Sequence, residues 1–365
     1  MHFDNRRYID SVKGVLIFLV VLGHSVVALE YEGVQTFVYA FHVYAFLLIP
    51  FIVSRKAATW ESLRDAAARY LVPYLGIAFL ASIPYGCTRS YSIGEWFWLY
   101  IRGVVTGNDN YLKATCGLYL FWFLPVIFWV NVALQVYRRV GIRGKGVLVA
   151  VFCAAHLFLP AMPWELKKYY PLLGTHVALY VMPVGLLLGY MCSLMDAAFC
   201  RKARFVWLVG FALLVTVMFA QGSALGLAHL GCPSYGSPLR IATHDLLPIF
   251  ALLTLIGFSR ELCSVRYLVL AGRNSLYIYL LGQPAVVGVT VLYRGWFGLN
   301  GQADILLCGT LSVVSGMVFG LAVASVIELL PMARILLFPR SHKELSAVII
   351  GHVRTLSRLL MAKYP

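Results

Sequence analysis

An aspartate, a lysine and a histidine, Asp10, Lys13 and His24, punctuate the segment RRYIDSVKGVLIFLVVLGHS at residues 6–25, which is otherwise largely apolar. Lys13 and His24 are eleven residues apart. At roughly 100° per residue that is almost three full turns, so on one continuous helix they share a face about 16 Å apart along the axis. Asp10 joins that face if the helix starts early enough. An ionisable group inside an apolar helix costs several kcal/mol, which makes each one a candidate for function. An imidazole suits one task in particular, accepting the proton of a hydroxyl near neutral pH. The plainer alternative makes Asp10 and Lys13 snorkelling flank residues and His24 a helix-to-helix hydrogen bonder.

A second imidazole lies in FVYAFHVYAFLLIP, where His42 is at a depth matching that of His24 on an adjacent, antiparallel segment. Two histidines without a clustered carboxylate or cysteine make a poor metal site, so proton transfer is expected and no metal. Arg64 and Arg69 precede an aromatic-proline run at the start of a third segment. Arginines there either grip phosphates or serve as ordinary flanking charge. Farther on, WFLPVIF predicts a kink, and AGRNSLYIYLLGQPAV carries Arg273, Asn274 and Ser275 before a Gln283-Pro284 break. Asn274 or Ser275 reads either as a helix cap or as a polar contact. His176, Thr243, His244 and Asp245 fall near segment ends, where a substrate outside the membrane could touch them.

The elements that must position these residues are membrane helices. Of 365 residues 61% are hydrophobic and 12% charged, with mean hydropathy +0.81; a soluble domain is nearer a quarter charged. The runs are continuously apolar, which excludes an alternating β-barrel. They predict an all-α polytopic protein of about ten transmembrane helices near 13–30, 34–53, 70–87, 117–137, 146–160, 176–195, 205–227, 241–258, 267–292 and 304–328. Residues 94–105 read as an interfacial aromatic segment. Residues 1–330 form the membrane domain, and 331–365 a basic amphipathic cytoplasmic tail. The first run has no small-residue cleavage site after it and reads as a retained helix.

Net charge is +15, yet the thirty Lys and Arg sit in short loops, which points to membrane topology and not to nucleic acid. Alternating the loops puts twenty-three of them on one side and seven on the other, so both termini are expected in the cytoplasm. The eight cysteines lie singly and indicate neither a disulfide framework nor a metal site. No internal repeat is visible, which weighs against an inverted-repeat transporter.

Together these pieces resemble the acyltransferase 3 family of integral-membrane O-acyltransferases, which includes O-antigen and exopolysaccharide O-acetyltransferases and the fucose 4-O-acetylase-like proteins. RYIDSVKGVLIFLVVLGH supplies an aspartate, a basic residue, ten intervening residues and a histidine; FVYAFHVYAFLL, a Pro-Tyr stretch ending at Tyr74, WFLPVIF, VMPVGLLLGYM and NSLYIYLLGQP follow in family order. The resemblance implies acyl transfer from cytoplasmic acyl-CoA, usually acetyl-CoA, to a glycan hydroxyl. His24 would be the essential histidine, Lys13 its basic partner, Asp10 and His42 members of the catalytic group. Arg64, Arg69, Tyr74, Asn274 and Ser275 would face the donor. The chain departs from the family where Val43-Tyr44 replaces Met-Pro, and where Gly282 stands at a place that often holds histidine.

The expected protein is thus an acetyl-CoA-dependent O-acyltransferase of a bacterial inner membrane. Its partners are membrane lipids, the acyl-CoA and a glycan or lipid-linked oligosaccharide. Succinyl or another short acyl group is the near alternative. A proton-coupled transporter or flippase using the same histidines is the rival from another class; concentration of ionisable groups in the first three spans favours the enzyme. Sugar, hydroxyl, direct or acyl-enzyme route and oligomeric state are left open.

Overall fold

The computed structural model describes residues 6–53, 59–89, 91–107, 109–116, 122–159, 174–195, 197–222 and 237–351, and among them all regular structure is helical. In chain order the helices are α1 Arg6–Gly23, α2 Val26–Glu30, α3 Glu32–Val53, α4 Trp60–Thr88, α5 Ile93–Thr106, α6 Asp109–Cys116, α7 Phe123–Arg139, α8 Ile142–Phe158 and α9 Thr175–Leu194. Then follow α10 Ala197–Lys202, α11 Arg204–Ala220, α12 Pro238–Gly257, α13 Ser259–Ser264, α14 Arg266–Arg273, α15 Ser275–Trp296, α16 Gln302–Leu329 and α17 Pro331–Leu337, with a last helix, α18, over 342–351. Among the described residues, six of these (α3, α4, α9, α12, α15 and α16) are long and apolar enough to cross a membrane. The predicted residues 117–121, 160, 223–227 and 352–365 lie outside the described set.

The chain divides into two compact units: residues 1–55, 149–167 and 179–325 form one, and 56–148, 168–178 and 326–365 the other. In the first unit α1 packs on α14, α3 and α15, while α12 packs on α11 and α3. Apolar side chains gain little from leaving lipid for protein, so close backbone approach over small residues does much of the holding. The crossing of α1 and α14 shows it. A Cβ added to Gly14 would fall 2.0 Å from the Leu268 carbonyl oxygen, and one on Gly272 1.6 Å from that of Asp10. The same device joins α15 to α16, where a Cβ at Gly282 would lie 2.8 Å from the Gly316 carbonyl oxygen. A histidine at position 282 has no room in this arrangement. The outer face of α16 exposes Leu306, Leu311, Val314 and Val318, the surface expected toward hydrocarbon.

In the second unit α4 is the spine, packing on α7, α6, α5 and α17. It starts ten residues before the predicted span because Thr59 and Ser62 form a reciprocal capping box at its N-terminus. The aromatic segment is α5, tied to α4 by Trp96 Nε1 donating to the Ser82 carbonyl (3.1 Å) and Tyr100 Oη to that of Leu75 (3.1 Å). The C-terminal segment is strapped to the first turns of α4: His342 contacts Asp65 through Nδ1 (2.8 Å) and backbone N–H (2.9 Å), and Lys343 pairs with Glu61.

Four local expectations are corrected. The first span is not one helix: α1 stops at Gly23, and α2 begins at Val26. The ninth is divided at Asn274, whereas the expected break at Gln283-Pro284 is absent and α15 runs through Pro284. The WFLP step does not kink a helix. It starts one, with Pro125 in the first turn of α7, where its missing N–H costs nothing.

Candidate active site

The break after Gly23 decides where His24 goes. His24 N–H and Ser25 N–H donate to the carbonyls of Val21 (3.2 Å) and Leu22 (3.0 Å), a tightened exit from α1. Ser25 is extended, and its hydroxyl donates back to the Leu22 carbonyl (2.7 Å) instead of capping α2. His24 therefore stands in a turn, half-buried, and not on the continuous Asp10–Lys13–His24 face expected from spacing. The chain reverses through α2, bringing α3 back alongside. A Cβ at Gly23 would lie 3.1 Å from Val38 Cγ1 and 3.2 Å from Tyr39 Cε2, so only glycine permits the approach without a shift of its neighbours.

The two predicted histidines meet on either side of Tyr39. Its Oη is 3.2 Å from His24 Nδ1 and 3.3 Å from the Gly23 carbonyl. Its ring stands edge-on to both imidazoles, with centroids 5.9 Å from His24 and 5.3 Å from His42. His42 is buried, and its Nδ1 bonds to the Val38 carbonyl. Among the described residues neither Nε2 has a hydrogen-bond partner, which leaves two imidazole nitrogens able to take a proton. Spacing alone did not find Tyr39; its place three residues before His42, on the same face of α3, was the available signal.

Lys13 and Asp10 pair with each other at 2.7 Å, and Arg273 Nε comes to 4.0 Å from Asp10. They occupy the opposite end of α1 from His24. The capping readings fail: no side-chain cap bond is made at the start of α15, because Asn274 Nδ2 donates to the Leu270 carbonyl (3.0 Å), closing α14. In the other unit Arg64 is exposed and makes no hydrogen bond or ion pair among the described residues, whereas Arg69 reaches the Arg340 carbonyl (3.4 Å). Tyr74 is buried with its hydroxyl donated to the Val104 carbonyl (3.0 Å), so that oxygen is already engaged by the protein.

A second cluster corrects the idea that ionisable groups gather in the first three spans. Asp245 of α12 accepts from Tyr44 of α3 (3.2 Å) and Tyr180 of α9 (3.0 Å) on Oδ1, and contacts His156 Nε2 of α8 (2.8 Å) through Oδ2. His156 Nδ1 meets the Tyr180 carbonyl at 2.8 Å, and its ring stacks on Tyr180 at 4.2 Å. His244 is fully buried beside them, Nδ1 3.4 Å from Tyr180 Oη. The sequence pointed to His244 and Asp245; nothing in its spacing linked them to His156.

Compared with known proteins, residues 6–329 match the model of a family described as Acyltransferase domain, that of acyltransferase 3. The chain is also 24% identical over 170 residues to Nodulation protein NolL of Sinorhizobium fredii (strain NBRC 101917 / NGR234), a stretch covering 43% of this chain and 42% of that protein. The chain thus spans less than half the length of this curated relative. No solved structure matches it.

Proposed function

The chain belongs to the acyltransferase 3 family of membrane acyltransferases, and from that premise we propose that it moves an acetyl group from cytoplasmic acetyl-CoA to a hydroxyl of a cell-surface or exported polysaccharide, or of its lipid-linked precursor. One observation carries the reading: His24 stands at a helix break with Nδ1 engaged and Nε2 without a partner among the described residues. Nε2 accepts the acceptor hydroxyl's proton as its oxygen attacks the thioester carbonyl. The carbon–sulfur bond then breaks, and the proton passes to the departing thiolate. In the covalent variant Nε2 attacks the thioester carbonyl and the carbon–sulfur bond breaks to release CoA as thiolate. The hydroxyl oxygen then takes the acetyl group from Nε2 as the N–C bond breaks, and the hydroxyl proton passes to the thiolate.

Ten spans with both termini in the cytoplasm of a bacterial cell remain the proposed topology, supported by the Lys and Arg bias across the loops. Arg64 and Arg69 at the start of α4 are cations suited to donor phosphates. A proton-coupled carrier is the second reading, favoured by the buried His156–Asp245 pair. That pair is already satisfied by protein groups, which favours the enzyme.

The test uses purified protein in detergent with radiolabelled acetyl-CoA, wild type against His24→Ala. Slow thioester consumption or self-labelling is expected from wild type and lost in the variant, with both unfolding at similar temperatures. Folded wild type that neither binds nor turns over acetyl-CoA would overturn acetyl transfer, and succinyl-CoA would be the next donor tried.

A further inference from the structure

We propose that Tyr39 is the positioning residue of the site, holding His24 in the tautomer with Nδ1 protonated and Nε2 free to accept a proton. The inference rests on the reading of His24 as the base and adds how that base is made ready. Tyr39 has one hydroxyl proton and two neighbours at almost equal distance, the Gly23 carbonyl and His24 Nδ1. The carbonyl can only accept. It lies at the end of α1, where the backbone donors of the turn go instead to Val21 and Leu22, so among the described residues Tyr39 is its donor. A proton directed to Gly23 leaves a phenolic lone pair facing Nδ1, and only an N–H there satisfies both atoms. The order is N–H···O–H···O=C, and it leaves the lone pair of His24 on Nε2.

His42 reaches the same state by another route. Its Nδ1 faces the Val38 carbonyl, which only accepts, so Nδ1 carries the hydrogen. The Tyr39 ring, edge-on to both imidazoles, also restricts their rotation. A hydroxyl in this place orients the ring without burying a charge, which a carboxylate partner would do at a cost of several kcal/mol inside a bilayer.

The test is Tyr39→Phe in the full chain, read by imidazole 15N NMR in detergent and by acetyl-transfer kinetics. Wild type is expected to show neutral His24 protonated at Nδ1, and the variant a mixture of tautomers. The kcat should fall about 10- to 100-fold, by analogy with loss of the outer partner that orients a metal-bound histidine, with KM for acetyl-CoA near that of wild type. An unchanged tautomer overturns the proposal whatever the rate does, and so does an unchanged kcat beside an altered tautomer. If Tyr39→Phe fails to fold, Gly23→Ala takes its place: the added methyl presses on the Tyr39 ring while keeping the hydroxyl, and the same shifts are expected. Should His24→Ala retain activity, the functional reading fails, while the NMR comparison still judges the clamp.

Discussion

Helix α3 serves two clusters of histidine and tyrosine, and they differ in how far the protein satisfies its own polar atoms. Tyr44 sends its hydroxyl to Asp245, whose carboxylate also meets Tyr180 and His156. Both nitrogens of His156 face atoms that accept, the Asp245 carboxylate and the Tyr180 carbonyl. The pair must therefore hold one shared proton between them, as imidazolium with carboxylate or as neutral imidazole with carboxylic acid. Two residues earlier on α3, about 200° around the helix, His42 turns to Tyr39 and His24, and among the described residues that cluster leaves both Nε2 atoms without a partner. A saturated pair such as His156–Asp245 resists change, because loss of either member would leave the other orphaned in low dielectric. An unsaturated one has valence left for a substrate. The same residue types build a brace on one face and a candidate reactive centre on the other.

The largest test of this contrast is at His24. His24→Ala should lower acetyl transfer by about 10²–10⁴-fold, the usual value of a general base, and shift thermal unfolding little; a comparable loss of stability would erase the distinction. At the brace the signs reverse. His156→Leu or Asp245→Leu alone should destabilise by about 3–5 kcal/mol, because each strands a buried partner. The double variant should recover much of that loss, as read by thermal unfolding in detergent. Tyr44→Phe removes one of several donors to Asp245 and should cost about 0.5–3 kcal/mol, the lower part of that range if Asp245 is neutral and the upper if it is charged.

The smallest effect is expected away from both clusters, where Lys343→Ala breaks an exposed pair with Glu61 worth about 0.2–1 kcal/mol. Nearby, hydrogen bonds from Arg334 hold the Glu344 carboxyl below the usual carboxylate range. The stability it lends is present at neutral pH and lost as the pH falls through that lowered value. Acid titration of C-terminal proteolysis, compared with Glu344→Gln, would read it.

Composition made the membrane class legible, because twenty apolar residues in a row have few other uses. The histidine pair was legible from matching depths on neighbouring antiparallel segments. The break at His24 was not, since nothing in GHSVV reveals that Ser25 will spend its hydroxyl on Leu22. Nor was the hydrogen bond of Tyr74 to the Val104 carbonyl, since one of 22 tyrosines shows nothing of its partner in the sequence. The His156–Asp245 contact joins residues 89 positions apart, a relation fixed by helix docking and invisible to local periodicity.

The glycine crossing of α1 and α14 also sets an order of events during synthesis. Gly14 emerges from the ribosome some 250 residues before Gly272, and in the folded chain each lies against the backbone of the other's helix. The first helix must wait in the membrane with its α14 contact unmade, and of its main partners only α3 follows early in the chain. A nascent chain stalled before residue 266 should therefore hold α1 loosely and expose Gly14 to cross-linking. Release of the stretch through Arg273 should close it.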